Sequence, residues 1–313
     1  MEPHSRSIPN VTNGEFSDAE LFQDLHENEH CPEGTIPIIR HAREDEYYPH
    51  GAISAAARNQ KKLNIRVDLD AKGHEYAGVG LSGGKYYGAR AFLNVWKPAT
   101  LGNGDLSFAQ VGVQAGPPDR LNYIQAGWMV NSRDNEPRVF LYWTSDGNKK
   151  TGCYNLNCPG FVQVTNKIGL GAALKPPSTY KGTQFSIPIA VYQFRGNWWL
   201  QVNEIMLGYL PSHIFTDLRT SATAVSWGGQ VFDAGKMGHH TSTQMGSGHF
   251  ASEGFGKASY FTHVEYKHET GYFLAAEGLR QYQHVRRRKG RRKIDRLVLI
   301  SHILAGGIKI HVL

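Results

Sequence analysis

Two glutamines stand in matching surroundings that invite a chemical reading. Gln125 lies in NYIQAGWMV and Gln230 in AVSWGGQV. Side chains alternate faces along a strand. Tyr123, Gln125, Gly127 and Met129 therefore share one face, opposite Asn122, Ile124, Ala126, Trp128 and Val130. In the second run Ala224, Ser226, Gly228 and Gln230 oppose Val225, Trp227, Gly229 and Val231. Small residues around a polar one make a groove floor, because glycine lets another chain approach the backbone. A glutamine can steady a water or an oxyanion by hydrogen bonds, but it cannot trade a proton in the working pH range.

The other reactive residues point less clearly. The acids Glu75, Asp146, Glu204, Asp217, Asp233, Glu253 and Glu265 form no evident pair. Asp146 sits in TSDG as a turn former, Glu204 alternates with Val202 on a solvated strand face, and Glu253 belongs to a loop. GSGHFA (246–251) has the glycine spacing of a dinucleotide loop, but no apolar strand precedes it and no helix pattern follows. His239, His240 and His249 lie in a Gly/Thr/Ser-rich stretch, where hydrogen-bonded loop histidines are expected rather than a metal site. No nucleophile elbow is present. No metal and no cofactor are expected. CYNLNC brings Cys153 and Cys158 close around two turn-forming asparagines, which favours a disulfide over a metal half-site, since no second cysteine pair exists. Cys31 is left over, and Asn10 opens an NVT glycosylation triplet.

The elements that must position these residues are short strands. Among the 313 residues there are 35 glycines, and aromatics make up 11%. From about residue 73, runs such as HEYAGV, YYGARAFLNVW, LSFAQVGVQAG and PRVFLYWTSDG alternate apolar and polar positions, with turn signals every ten or so residues. That is the grammar of an antiparallel sandwich or barrel. VYQFRGNWWLQV reads as a hairpin with Arg195, Gly196 and Asn197 at its tip. Two helices are expected: DAELFQDLHENE (18–29), with Leu21, Phe22 and Leu25 on one face, and PSHIFTDLRTSA (211–222), capped by Ser212. Three parts follow: a polar region 1–70, a sandwich domain 71–272 and an atypical tail 273–313. The formal charge of +7 equals the seven basic residues of RRRKGRRK (286–293), so the rest is neutral. The tail reads as foreign to the fold, as from a shifted or unspliced reading frame. A nucleic-acid arm or a membrane-surface segment is the weaker reading. No apolar run is long enough to span a membrane, and the N-terminus has no apolar signal core.

Several motifs occur in order: CPEGTIPI, GHEYA, YYGARAFLNVW, IQAGWMV, YWTSDG, TGCYNLNCPGFVQ, SWGGQV and TQMGSGHFASEGFGKASYF. Over residues 31–265 the chain resembles the plant neprosin family of glutamic peptidases. The resemblance implies an all-β antiparallel sandwich with a long substrate cleft, preceded by a small activation region that blocks the cleft until removed at acid pH. It implies secretion, a disulfide between Cys153 and Cys158, and metal-free cleavage after proline by two glutamates. Those glutamates are expected before AGW and after WGG, where this chain has Gln125 and Gln230. Trp128, Tyr142, Trp227, Gly228 and Gly229 are expected to line the cleft. Two amides cannot serve as general base and general acid, so the resemblance implies a groove for extended, proline-rich peptides with impaired hydrolysis. The alternative is an active endopeptidase that uses Glu204, Glu253 or Glu265. No nucleic-acid partner is expected.

Overall fold

The computed structural model describes residues 73–284 apart from Asn103 and 235–240. It also describes isolated positions between 32 and 38, and backbone pairing for Ser17–Asp18, Glu20–Phe22, Val298–Ile303 and Gly307–Val312. The expectations stated above for Asn10, Cys31, His239, His240 and the basic run 286–293 fall outside the described residues.

Eleven strands carry the fold: β1 (His74–Tyr86), β2 (Gly88–Asn94), β3 (Leu106–Ala115), β4 (Asn122–Asn131), β5 (Arg138–Thr144), β6 (Phe185–Phe194), β7 (Asn197–Val202), β8 (Ile205–Pro211), β9 (Ala222–Phe232), β10 (Ser259–Lys267) and β11 (Arg280–His284). They form two sheets. The front sheet runs β11-β1-β9-β3-β4-β5, extended by Ala173–Lys175 and Glu20–Phe22. The back sheet runs β10-β2-β6-β7-β8, flanked by Gly307–Val312 and Val298–Ile303 on one side and Val162–Gln163 on the other. These strands pair antiparallel, as the turn-rich alternation predicts.

Local chemistry sets the turns. Phe194 pairs with Asn197, so Arg195 and Gly196 alone form the hairpin tip, with φ of 49° and 75°. Two positive φ values are what a tight hairpin matching the strand twist needs. The β4 strand stops at Asn131, whose side-chain oxygen accepts from the backbone N–H groups of Arg133 and Asp134. Its start is fixed by Asn122, which donates to the carbonyls of Arg120 and Ser145 and accepts from the N–H groups of Thr216 and Asp217.

The core lies between the sheets. Val111, Val113, Ile124, Ala126, Val225 and Val231 meet Ala91, Leu93, Ile187, Ile189 and Leu200 there. Trp128 and Trp227 are fully buried in this layer. Each reaches across it: the Trp128 indole donates to the Asn94 carbonyl at 3.2 Å and the Trp227 indole to the Arg90 carbonyl at 3.0 Å. Both tryptophans therefore bridge the sheets instead of lining a cleft. Gly229 shares their face, packed against Met245.

Three local expectations are corrected. Asp18 and Glu20–Phe22 are extended, not helical: Glu20–Phe22 pairs with Ala173–Lys175, whose edge backbone groups take up partners. The stretch 211–222 forms a single 3-10 turn, Ser212–Ile214, and Pro211 occupies the cap position instead of Ser212. The paired strands also run past residue 272. Phe273–Ala275 pairs with β10, and β11 covers the outer edge of β1. The backbone of β1 offers a free edge, and β11 satisfies it with a register as regular as any inside the sheet.

Candidate functional site

The outer face of the front sheet carries the candidate site. Its alternating positions are His74, Tyr76, Gly78 and Gly80 on β1; Ala224, Ser226, Gly228 and Gln230 on β9; Phe108, Gln110, Gly112 and Gln114 on β3; Tyr123, Gln125, Gly127 and Met129 on β4; and Phe140, Tyr142 and Thr144 on β5. The faces read from NYIQAGWMV and AVSWGGQV are those observed. Tyr142 and Gly228 lie on this face. None of these positions is an Asp or a Glu.

Register separates the two expected glutamines. Gln230 lies opposite Phe108, which lies opposite Met129, so Gln125 is two strands away and four residues along. At ordinary strand spacing and rise that is about 16 Å. The side chain next to Gln230 is instead Gln110. Its Nε2 donates to Gln230 Oε1 at 3.3 Å, and Gln230 Nε2 meets His74 Nδ1 at 2.8 Å. Both glutamines are buried, with exposures of 7% for Gln110 and 3% for Gln230. Gln110 stands diagonally between Gln230 and Gln125, on the middle strand of three. Sequence alone does not single it out, because LSFAQVGV looks like any alternating strand. Only the pairing of β3 with both β4 and β9 brings it to the centre.

Glycines shape the surface around Gln110. Gly127 and Gly228 are its direct cross-strand neighbours. A Cβ at Gly127 would collide with the Ala109 carbonyl, and one at Gly228 with the Ala77 carbonyl. The backbones there approach more closely than a side chain permits. Gln110 thus stands between two positions that carry no side chain. On the far side, Tyr282 of β11 lies over Gly78 and Gly228. Burial pushes its hydroxyl well above the ordinary phenol range, against a hydrogen bond with Ser226 that works the other way. Tyr282, Tyr76 and Ala224 pack together as one wall.

The opposite wall is aromatic. Tyr123, Tyr142, Tyr154, Phe108 and Phe140 form a buried cluster with Leu106, Leu121 and Met129. Asn148 ties two of its hydroxyls: Tyr142 donates to Asn148 Oδ1 at 2.9 Å, and Asn148 Nδ2 donates to the Tyr123 oxygen at 2.8 Å. Burial raises both phenols, Tyr123 the more completely enclosed. The Asp146 turn holds this loop. Burial works to raise the Asp146 pKa, but hydrogen bonds from the Thr151 hydroxyl and the N–H groups of residues 149–151 outweigh it and lower it. The Cys153–Cys158 disulfide closes the segment that follows this loop.

The candidate carboxylates lie elsewhere. Glu204 sits in the turn joining β7 and β8, and Glu265 on β10 pairs with Arg90. Glu253 accepts from the Tyr180 hydroxyl at 3.0 Å and faces His249 Nδ1 at 3.1 Å. No front-sheet strand carries any of the three. Glu75 occupies the opposite face of β1 from Gln230's neighbours, its Oε1 accepting from Thr241 N–H. Of the three loop histidines, His249 is thus accounted for by a carboxylate and by the Tyr180 ring at 4.3 Å.

Comparison with known proteins adds a family. The family model described as Neprosin matches residues 103–295. Among solved structures, scytalido-glutamic peptidase bound to a transition-state analogue aligns with 12% identity and a TM-score of 0.40, covering 76% of this chain and 98% of that one. SCP-B, of the Eqolisin family of peptidases and bound to Ala-Ile-His, aligns with 10% identity and a TM-score of 0.37, covering 76% and 97%. A homodimeric agglutinin from chicken liver aligns with 8% identity and a TM-score of 0.28, covering 50% and 96%. Likenesses at this level carry no residue roles over to this chain.

Proposed function

The chain belongs to the Neprosin family, and on that premise we propose that it is a peptidase homologue whose cleft binds extended, proline-containing peptides and hydrolyses them poorly. The observation behind this reading is the contact between Gln110 and Gln230. Adjacent strands present two amides within hydrogen-bond reach, on a face whose described strand positions hold no carboxylate. Metal-free peptide hydrolysis by two glutamates needs one to take a proton from water and one to give a proton to the leaving amine. Neighbouring carboxyls divide those tasks because their pKa values are driven apart. Two amides can position a water and an oxyanion, and nothing more. Each lost proton-transfer role costs roughly 10²–10⁴-fold in rate.

Shape survives the change. Gln has the size of Glu and keeps both a donor and an acceptor. An extended backbone would run along the glycine positions beside Gln110, between the two tyrosine walls. A proline-rich segment is already extended and loses little entropy on docking. The polar N-terminal region is the natural competitor for this cleft, as the activation region of such a peptidase would be. Secretion belongs to the same proposal and is supported by the Cys153–Cys158 disulfide, which suits an oxidising compartment. The competing reading, an active endopeptidase, has to recruit a carboxylate. Glu265 and Glu253 are engaged with Arg90 and with Tyr180 and His249.

The test is calorimetric titration of the full chain with a proline-containing peptide at acid pH, with mass spectrometry of the mixture. Binding without product supports the proposal. Rapid cleavage that survives Gln230→Leu overturns it.

A further inference from the structure

The amide chain on the cleft floor has a direction. Gln230 turns its Nε2 toward His74 Nδ1, so that ring nitrogen is the acceptor. Gln230 Oε1 then accepts from Gln110 Nε2. The three side chains run one way: Gln110 donates to Gln230, and Gln230 donates to His74. The His74 ring is held between aromatic neighbours, with centroids 5.8 Å from Tyr76 and 4.6 Å from Phe232. A ring packed this way fixes the orientation of both amides.

One atom is left at the free end of the chain. Gln110 Oε1 is buried and has no hydrogen-bond partner among the described residues. A buried acceptor without a donor is unfavourable, so this oxygen is poised for a ligand that brings one. The residues opposite Gln110 on both neighbouring strands are glycines, Gly127 and Gly228, so no side chain flanks it from those two positions. The Tyr282 ring lies over Gly228, so a peptide backbone would have to reach Gln110 from the Gly127 side.

We propose that Gln110 sets the register of a bound peptide: its side-chain oxygen demands a backbone N–H and so excludes proline from the residue lying over it. The inference rests on the peptide-binding reading above and adds a rule to it. Every residue except proline has the N–H that the site requires. Proline is accommodated at the positions beside this one, against the tyrosine walls.

The test is a backbone N-methyl scan of one proline-containing peptide, titrated into the full chain. N-methylation at a single non-proline position is expected to weaken binding about ten-fold, the size of one buried hydrogen bond with its acceptor left open. Gln110→Met, which keeps the length of the side chain, should erase that penalty. Gln110→Glu keeps an acceptor and should retain it, and thermal melts of both variants establish that they are folded. His74→Phe frees the amides to turn and should shrink the penalty. Tight binding with no discriminating position, or a penalty that persists in Gln110→Met, contradicts the inference and leaves peptide binding standing. Failure of every peptide to bind removes the peptide-binding reading and this rule with it.

Discussion

The two faces of the front sheet are built from the same strands and obey different rules. On the inner face, Trp128 and Trp227 place their rings in the core and spend their N–H groups on carbonyls of the opposite sheet. The needs of both indoles are met within the fold. On the outer face, one residue along from each, stand Gly127 and Met129 beside Trp128 and Ser226 and Gly228 beside Trp227. There the hydrogen-bond chain from His74 through Gln230 to Gln110 ends on an oxygen without a donor among the described residues. The inner face is not fully satisfied either, since Ser107 Oγ and Trp143 Nε1 are buried there without a partner among the described residues; the contrast is that its two central tryptophans are tied to the opposite sheet. On the outer face the open atom lies at the end of a chain of side-chain hydrogen bonds, between two glycine positions.

Substitutions can sharpen or break this contrast. The largest effect is expected on the inner face: Trp227→Ala should cost about 3–5 kcal/mol in urea unfolding, because it empties a packed volume and strands the Arg90 carbonyl. Gly127→Ala comes next, at about 1–3 kcal/mol, since its Cβ meets backbone that cannot step aside. Replacing Cys153 and Cys158 by alanine should cost about 2 kcal/mol, the closure entropy of so short a loop. Gln110→Leu should cost about 1 kcal/mol, since it removes the open acceptor of Gln110 but leaves buried Gln230 Oε1 without its donor. A cost near that of Trp227→Ala would erase the distinction between the faces. The smallest effect belongs to Asp146. Its folded-state pKa is lowered, so its contribution is present above about pH 3.9 and is lost as pH falls through the lower folded value. Asp146→Asn should depress Tm near neutrality, and the deficit should vanish in strong acid.

The sandwich was legible because its evidence is local. Alternation within NYIQAGWMV assigns faces residue by residue, and RGN between two apolar runs marks a hairpin. The same alternation already set Trp128 and Trp227 opposite the outer-face residues, so their place in the core was readable. Expecting them in the cleft gave aromatic character more weight than face. What stayed hidden is register. Nothing in LSFAQVGV tells that Gln110 lies between Gly127 and Gly228, because that depends on two pairings with strands more than ten and more than a hundred residues away. The short strand at 20–22 was hidden for a related reason: its conformation follows from the edge it meets, and its sequence reads as a helix face. The strand β11 likewise shows no turn grammar, and it is ordered by the free edge of β1.

If two amides on this face replace an acid pair, their contact favours Gln110 with Gln230 over Gln125 with Gln230. The most direct measurement is cleavage of a quenched proline-containing peptide at acid pH, comparing the unmodified chain with Gln110→Glu/Gln230→Glu and with Gln125→Glu/Gln230→Glu. Adjacent carboxyls should restore turnover by at least about 10²-fold over the unmodified chain, whereas the pair held about 16 Å apart should restore none. Equal silence from both double variants, with their folds intact, or activity only when residue 125 is the glutamate, would contradict the account.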